Sequence, residues 1–431
     1  GPSPLANSAM RAREINDDAA QAGNNRHLCL DPMSTNAGTA IPTTIIPETV
    51  ETIVIDVLEA LPETMPEPMT EQDVSVALWA VIFAGGIGTR FWPLSTPARP
   101  KQILALVNDR PLIADTVARL QPLIPPERVL VVTSADIFAA VHSAIPEIPL
   151  GNMLVEPRPL GTAAALAWAA IEIEKRAGPK SVFTALHADL AVGFPDRFRD
   201  TLREAAGIAS SDEHLVVIGA RPTRCEPQFG YLHASDPLDK SSSLKDGGAC
   251  KVKHFVEKPS AHLADTLIAE GALWNTGIFV WQAGAVLSEL KEHTGELRHG
   301  FAALASGDME KFSDLVTSVS IDRGLLERSR KVVVLPAEFG WDDVGTWASL
   351  RRVRDLDDTG NGIKGIGYCV DSSGNIVHSE ADCVVLFGVS GMLVVSIDGL
   401  TFVTPLDRAA EMQSLLNQLP SNFRHSPRGE T

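Results

Sequence analysis

From residue 77 to about residue 350, short apolar runs rich in valine and isoleucine alternate with helical stretches. The clearest runs are residues 79–84, 129–133, 182–186 and 215–219. Apolar runs between helices predict strands that are buried on both faces. The expected fold is therefore α/β, with a doubly wound, mostly parallel, Rossmann-like sheet. Ligands of such sheets bind at the carboxyl ends of the strands, so we expect the chemistry in the strand-to-helix loops.

Residues 1–75 differ in composition from the rest of the chain. They carry 12 acidic and 3 basic residues, and so contribute −9 to a formal net charge of −17. The first three residues, Gly-Pro-Ser, are typical of a cleaved tag. We predict a largely flexible, acidic, proline-containing extension, with one short amphipathic helix over 47–61 and no part in the chemistry.

The pattern changes again after the α/β stretch, which we expect to span 76–355. Short β-rich runs follow at 365–370, 375–379, 384–389, 392–397 and 401–403. They predict a small all-β domain over 363–420 that closes with a helix over 407–419. A left-handed β-helix is one architecture for this domain, although no repeat period can be counted.

Charge and cysteine content restrict the partners and the compartment. The net charge of −17 argues against nucleic acid, whose phosphates require a basic surface. No apolar stretch reaches the roughly eighteen residues of a membrane span, so no membrane partner is expected. Five sparse cysteines without metal-type spacing, and no signal-peptide pattern, predict a cytoplasmic protein with reduced thiols. We expect a homodimer.

A glycine-rich loop follows the first predicted strand. Gly85, Gly86 and Gly88 lack a β-carbon, so a phosphate can approach the backbone and consecutive N–H groups can point at one anion. Arg90 adds a planar cation that suits phosphate oxygens. Two competing motifs fail. The chain has no Gly-x-x-x-x-Gly-Lys run, and Phe91 stands where a dinucleotide-binding fingerprint needs glycine.

The residues after the loop complete a longer motif. Residues 85–102 contain Gly-Gly-Ile-Gly-Thr-Arg, then Pro-Leu-Ser and Pro-Lys-Gln. This span resembles the signature of the sugar-nucleotide pyrophosphorylases, above all the bacterial mannose-1-phosphate guanylyltransferases. The resemblance implies that Arg90 and Lys101 are catalytic. It also implies that the loop binds the nucleotide through Gly85, Gly86, Gly88 and Thr89.

Two aspartates are candidate ligands for Mg²⁺. Nucleotidyl transfer needs a divalent cation because an anionic sugar phosphate must approach an anionic triphosphate, and magnesium prefers carboxylate and phosphate oxygens. Asp189 follows the predicted strand at 182–186, and Asp343 lies in a Trp-Asp-Asp-Val-Gly-Thr-Trp stretch. Both resemble the metal ligands of the family, the second in its Trp-x-Asp-x-Gly-Ser/Thr-Trp motif. Asp342 is the rival to Asp343.

Three segments resemble the sugar-phosphate site of the family. A Val-Glu-Lys-Pro stretch implies that Glu257 contacts sugar hydroxyls and that Lys258 contacts the sugar phosphate. An Asn-Thr-Gly-Ile-Phe stretch implies that Asn275 binds the sugar. A Pro-Gln-Phe-Gly-Tyr stretch implies that Gly230 lies in the loop beside it.

The segment expected to bind the nucleotide base departs from the family pattern. The family reads Glu-Pro-x-x-Arg-Asn-Thr, whereas this chain reads Glu-Pro-Arg-Pro-Leu-Gly-Thr. The resemblance implies that Glu156, Pro157 and Thr162 bind the nucleotide. Leu160 and Gly161 take the place of the Arg-Asn pair, which removes a polar patch beside the nucleotide.

These resemblances imply transfer of GMP from GTP to α-D-mannose 1-phosphate, giving GDP-mannose and pyrophosphate in a Mg²⁺-dependent in-line displacement. Two alternatives stay open. A different base and sugar, such as glucose 1-phosphate with UTP or dTTP, fits the same chemistry. A catalytically silent, sugar-nucleotide-binding regulatory homologue is the other, although such proteins characteristically lose the lysine or a metal aspartate that this chain keeps.

Overall fold

The structure is a computed structural model that describes residues 77–86, 88–239, 247–420 and 423. The described residues belong to the second of two compact units, Asp73–Thr431. The extension expected over 1–75, with its helix at 47–61, lies outside the described residues. Within the described part, no helix is both long enough and apolar enough to cross a membrane.

The α/β part contains eleven strands among the described residues. In chain order they are β1 Trp79–Phe83, β2 Val129–Ser134, β3 Met153–Glu156, β4 Val182–His187, β5 Leu190–Val192, β6 Leu215–Ala220, β7 Gly230–Pro237, β8 Cys250–Glu257, β9 Leu273–Gln282, β10 Val332–Ala337 and β11 Trp341–Asp343. Nine form one sheet in the order β3-β2-β1-β4-β9-β6-β10-β8-β7, and β5 pairs with β11. Seven of the nine run in one direction, with β8 and β9 opposed. The expected mostly parallel sheet is confirmed.

Helices cover both faces of this sheet. The described helices are α1 Leu112–Leu120, α2 Phe138–Ala144, α3 Thr162–Ala177, α4 Pro195–Asp212, α5 Ala261–Ala269, α6 Ala283–His293, α7 Phe301–Ser306, α8 Met309–Leu315, α9 Leu350–Val353 and α10 Met412–Gln418. In β1, Val81 and Phe83 belong to a core shared with α3 and α6. Ala80 and Ile82 belong to another core, shared with α1 and α4. Since alternate residues of one strand are buried on opposite faces, the doubly wound arrangement is confirmed.

The β-rich part has four strands in one sheet. They are β12 Gly362–Val370, β13 Ile376–Phe387, β14 Met392–Ile397 and β15 Leu400–Pro405. β12, β13 and β14 are parallel, and β15 is antiparallel to β14. Parallel strands joined by short turns are the arrangement of a β-solenoid coil.

Two details of the β-rich prediction are wrong. The runs expected at 375–379 and 384–389 are one strand, because β13 bends where Ser379 meets a shift in register with β12 instead of ending there. A β-carbon at Gly365, opposite that bend, would overlap the Ser379 carbonyl, so glycine permits the close approach. The closing helix expected over 407–419 is α-helical only from Met412; it begins as the 3-10 turn Leu406–Glu411.

The β-rich part packs directly under the segment that follows the glycines. Phe91 and Trp92 share one core with Trp347 and with the β-rich residues Ile376 and Leu393. The indole N–H of Trp347 donates to the carbonyl of Trp92 at 3.2 Å. The two parts of the chain therefore share a continuous hydrophobic core at this point.

Candidate active site

The predicted site residues lie along one edge of the large sheet. The glycine loop, residues 85–90, follows β1, and Asp189 follows β4. Glu156 is the last residue of β3. β9 runs in the opposite direction, so it begins at this edge: its Asn275 is the register partner of Gly219 near the end of β6. The loops therefore meet where the carboxyl ends of parallel strands meet.

The glycine loop is fixed by one side chain and open at its α-carbons. Gly86 and Gly88 have φ angles of 88° and 73°, in the left-handed region that favours glycine. The Gln102 side-chain amide donates to the carbonyls of Gly85 and Gly86, at 2.6 and 2.9 Å. A β-carbon at either of these two glycines would meet nothing within 4 Å, whereas one at Gly88 would lie 2.5 Å from Cβ of Lys101. Gln102 therefore orients the loop, a role that its place in the Pro-Lys-Gln motif did not indicate.

Lys101 is only 6 % exposed and forms an ion pair with Asp189. Its Nζ lies 2.6 Å from Asp189 Oδ2 and 5.3 Å from the centre of the Phe91 ring. Burial pushes the pKa of Asp189 upward, but the charge and hydrogen bond of Lys101 outweigh it, so this pKa lies below its usual range. Asp189 is therefore ionised and paired. Arg90, in contrast, is exposed on the 3-10 turn Thr89–Phe91.

Asp343 lies next to this ion pair. β11 is antiparallel to β5, and Asp343 is the register partner of Leu190, the residue after Asp189. Burial raises the pKa of Asp343 above its usual range; Lys101 lowers it by less, and the charge of Asp189 raises it further. Two carboxylates thus lie beside one lysine, and Asp343 makes no ion pair with any described residue. Two carboxylate oxygens with too little countercharge fit a magnesium ion.

Asp342 is engaged elsewhere. Its two carboxylate oxygens accept from the Arg352 guanidinium at 2.6 and 2.8 Å. A second guanidinium, that of Arg224, lies 3.8 Å away. The rival to Asp343 is therefore satisfied by arginine side chains, and Asp343 is the carboxylate of this pair that faces Asp189.

The predicted sugar-phosphate residues meet where β7 and β8 pair beside β9. Gly230 and Glu257 are register partners, and a β-carbon at Gly230 would lie 2.8 Å from Glu257 Oε2. Lys258 Nζ donates to Glu257 Oε1 at 2.8 Å. Asn275 Nδ2 donates to Oδ1 of Asp322 at 3.0 Å. The structure thus brings these residues together and adds an aspartate that the sequence analysis missed.

Asp322 and His187 are neighbours of the predicted residues that no motif indicated. Burial and the charge of Glu257 raise the pKa of Asp322 to about 6. His187 contributes to lowering the pKa values of Asp322, Asp189 and Asp343, so its ring lies near all three carboxyl groups. It packs on Phe83, with 5.5 Å between the ring centres. The sequence signal for His187 was its position at the end of a strand.

The base-side residues are only partly free to contact a nucleotide. Burial raises the pKa of Glu156 to about 7, and a hydrogen bond from the Leu160 backbone opposes the rise. Pro157 is exposed. The hydroxyl oxygen of Thr162 accepts from the backbone N–H of Ile321 at 2.8 Å. Thr162 therefore anchors the segment before Asp322, a role that its motif did not indicate.

The departure from the family pattern at 160–161 has a packing reason. Leu160 is buried in the core beneath α3. Gly161 has a φ of 84°, and a β-carbon there would overlap the carbonyl oxygen of Val319. Ala163 N–H donates to that same carbonyl at 3.2 Å. The pair thus packs this segment closely against the chain that leads to Asp322.

We expect Gly161→Ala to destabilise the protein, by about 1–3 kcal/mol, because the new methyl group meets a carbonyl in a backbone conformation strained for alanine. Gly178→Ala is the matched control: Gly178 has nearly the same φ, 88°, but a β-carbon there meets nothing within 4 Å. Urea unfolding measures both. Equal losses of stability in the two variants would mean that the contact with Val319 contributes nothing.

A separate acidic group lies on α6, outside the predicted metal residues. Among the described residues, one set of three side chains has potential metal-ligand atoms close to one another, and it consists of Glu289, Glu292 and His293. Glu289 is already satisfied, because Lys331 Nζ lies 3.3 Å from one oxygen and Ser329 Oγ donates to the other at 2.6 Å. His293 Nε2 also lies 3.3 Å from Glu289, so this carboxylate already has three neighbouring partners.

Known proteins place the chain in one family. Residues 79–359 match the nucleotidyl transferase family, and residues 368–419 match a mannose phosphate isomerase/GMP-like β-helix domain. A mannose-1-phosphate guanylyltransferase from Sinorhizobium fredii is 30 % identical over 79 % of this chain and 67 % of its own length. One from Escherichia coli K12 is 29 % identical over 81 % and 75 %.

A solved structure supports the same assignment. A crystal structure from Thermus thermophilus, described as a mannose-1-phosphate geranyltransferase, superimposes with a TM-score of 0.72 and 31 % identity. The match covers 79 % of this chain and 99 % of the other. From the family match, the similar relatives and this fold, the chain belongs to the nucleotidyl transferase family, where it groups with the bacterial mannose-1-phosphate guanylyltransferases.

Proposed function

We propose that the chain transfers GMP from GTP to α-D-mannose 1-phosphate, releasing pyrophosphate and forming GDP-mannose. The partly buried ion pair of Lys101 with Asp189, beside the glycine loop and Asp343, carries this proposal. An oxygen of the sugar phosphate bonds to the α-phosphorus of GTP while the bond from that phosphorus to the leaving pyrophosphate breaks. The protein forms no covalent bond, so its contribution is positioning and charge neutralisation.

Asp189 and Asp343 would hold Mg²⁺, because both supply the carboxylate oxygens that this ion prefers and Asp343 lacks a countercharge of its own. When bound, the ion neutralises charge on the triphosphate. Lys101 keeps Asp189 ionised and oriented through its 2.6 Å contact. The same ammonium group would stabilise the α-phosphate and the departing pyrophosphate, since the Lys101 side chain lies beside Gly88 of the loop.

The other residues would position the two substrates. Backbone N–H groups of the glycine loop would bind the triphosphate, and the exposed Arg90 would contact its outer oxygens. The proposed nucleotide residues further along the chain are Glu156, Pro157 and Thr162. The proposed sugar-phosphate residues are Gly230, Glu257, Lys258 and Asn275.

A panel of four nucleoside triphosphates against three sugar 1-phosphates, with pyrophosphate release as the readout, tests this function. We expect GTP with mannose 1-phosphate to give the highest kcat/KM, and EDTA to abolish turnover. A preference for UTP or dTTP with glucose 1-phosphate would support the alternative enzyme. Binding without turnover of any pair would support a regulatory homologue, and undiminished product in EDTA would refute the metal assignment.

We also propose that the protein acts in the cytoplasm. Among the described residues, Cys225, Cys369 and Cys383 are free thiols. Free thiols at exposed positions such as Cys225 and Cys383 are typical of a reducing compartment.

We further propose that the protein is a homodimer joined through its β-rich part. Five apolar side chains are exposed on one face of β12 and β13, and they are Ile366, Tyr368, Val370, Val385 and Phe387. Residues 383–387 of β13 pair with β12 on one side only, since β14 pairs with residues 376–379. A second copy related by two-fold symmetry would cover both the apolar face and the open strand edge.

Phe387→Asp is expected to convert the dimer to a monomer, because Phe387 is 71 % exposed in the single chain and an aspartate would carry charge into the apolar contact. Leu150→Asp is the control, since Leu150 is 64 % exposed but lies on a different part of the surface. Sedimentation velocity measures both. A Phe387→Asp variant that sediments as a dimer would contradict this interface.

A further inference from the structure

We propose that Asp322 is a further sugar-specificity residue, whose carboxylate accepts a hydrogen bond from a hydroxyl group of the hexose phosphate. This inference rests on the proposed function, and it concerns the sugar half of the same site. Four observations support it: the anchoring of its backbone, its contact with Asn275, its unused acceptor capacity and the charges around it.

The backbone around Asp322 is firmly anchored. Asp322 is the first residue of the short π-helical segment Asp322–Leu326. The N–H of the preceding Ile321 donates to the Thr162 hydroxyl at 2.8 Å, and the Val319 carbonyl accepts from Ala163 at 3.2 Å. The start of α3 thus holds the chain on the approach to Asp322. A side chain on an anchored backbone is suited to precise contacts with a ligand.

The Asp322 carboxylate is joined to a residue already assigned to the sugar. Its Oδ1 accepts from Asn275 Nδ2 at 3.0 Å. The amide oxygen of Asn275 in turn accepts from the backbone N–H of Gly277 at 3.0 Å, so the orientation of the amide is determined. Asn275 and Asp322 therefore form one rigid polar unit.

This contact leaves acceptor capacity unused. Apart from Asn275 and its own backbone N–H, no described residue hydrogen-bonds to the Asp322 carboxyl group. A carboxylate has about four lone-pair sites, so about two are left for a ligand. Asp322 is half-buried, so part of the residue is accessible to solvent.

The surrounding charges favour a neutral hydroxyl donor as the ligand. Glu257 lies close enough to repel Asp322, and Lys258 is already paired with Glu257 at 2.8 Å. Asp322 therefore has no cation of its own among the described residues. An asparagine would keep the Asn275 contact without the cost of burying a charge beside Glu257. An aspartate at position 322 is explained if its carboxylate accepts hydrogen bonds from hydroxyl groups. Two nearby carboxylates, those of Asp322 and Glu257, can accept from neighbouring hydroxyl groups of one sugar.

The test uses Asp322→Asn with mannose 1-phosphate and its 2-, 3-, 4- and 6-deoxy analogues. We expect KM for mannose 1-phosphate to rise about 10- to 100-fold, since hydrogen bonds to charged groups are strong, while kcat changes less than about threefold. With the wild-type enzyme, the deoxy analogue that lacks the bound hydroxyl should have a higher KM than mannose 1-phosphate. With the variant, the KM values of this analogue and of mannose 1-phosphate should be equal. Asp314→Asn, at an exposed position on α8, is the control and should leave every constant unchanged.

Each outcome decides the proposal. An unchanged KM, or equal losses for all analogues in both proteins, would overturn it. Thermal unfolding shows whether Asp322→Asn folds; if it does not, Asp322→Glu, which keeps the charge and displaces the oxygens, replaces it with the same expectations. Calorimetric titration with mannose 1-phosphate alone separates this proposal from the function. If no substrate pair turns over, weaker binding by the variant still supports Asp322, and equal binding refutes it.

Discussion

Lys101→Ala is expected to lower kcat about 10²- to 10³-fold in a pyrophosphate-release assay, the usual cost of removing a preorganised group that stabilises developing charge. The substitution acts in two ways. It removes the ammonium group beside the glycine loop, and it leaves the partly buried Asp189 without its partner at 2.6 Å. Asp189 should then hold a proton at higher pH, because burial alone raises its pKa.

Stability and catalysis can be separated for this variant. Loss of one partner from a buried ion pair also destabilises the fold, so thermal unfolding should be measured alongside turnover. Lys175→Ala is the control, since Lys175 pairs with Glu172 on the exposed surface of α3. Near wild-type turnover in folded Lys101→Ala protein would show that Lys101 has no catalytic role.

Asp343→Asn is expected to reduce turnover to a similar extent, by about 10²-fold or more, and to raise the Mg²⁺ concentration needed for half-maximal rate. The reason is that an amide cannot replace the charge of a carboxylate ligand. The adjacent Asp342→Asn is the matched control, because its carboxylate is bound by Arg352 at 2.6 and 2.8 Å. The magnesium dependence of Asp342→Asn should stay that of the wild type.

A magnesium titration of the two variants decides between neighbouring aspartates. If Asp342→Asn shifted the dependence and Asp343→Asn did not, the ligand assignment would have to be exchanged. If neither shifted it, the metal would be held by other groups.

The sequence predicts the parts of the site that depend on local patterns. The glycine loop and Asp189 follow from glycine spacing and from the rule that ligands bind at strand ends, whereas Lys101 and Asp343 follow from the resemblance to the family motifs. The sheet follows from the apolar runs. Those at 79–84, 129–133, 182–186 and 215–219 match β1, β2, β4 and β6 to within one residue.

The parts of the fold and of the site that the sequence does not predict depend on contacts between segments distant in the chain. Asp322 is close to Asn275 only because the chain from Val319 is anchored on Thr162, and no local pattern shows such an approach. Likewise, β13 looks like two strands in the sequence, because the register shift that bends it lies in its pairing with β12. The sequence also does not show why position 161 needs glycine, because the reason is the Val319 carbonyl that lies beside it in the fold.

The core that Phe91 and Trp92 share with Ile376 and Leu393 has a consequence for evolution and engineering. A chain that ended near residue 359, where the family match ends, would keep every proposed catalytic residue. It would nevertheless lose the apolar side chains of the β-rich part that pack against the segment between the glycine loop and Lys101. The β-rich part is thus no detachable module, and exchanging it between relatives requires exchanging the aromatic residues after the glycine loop with it.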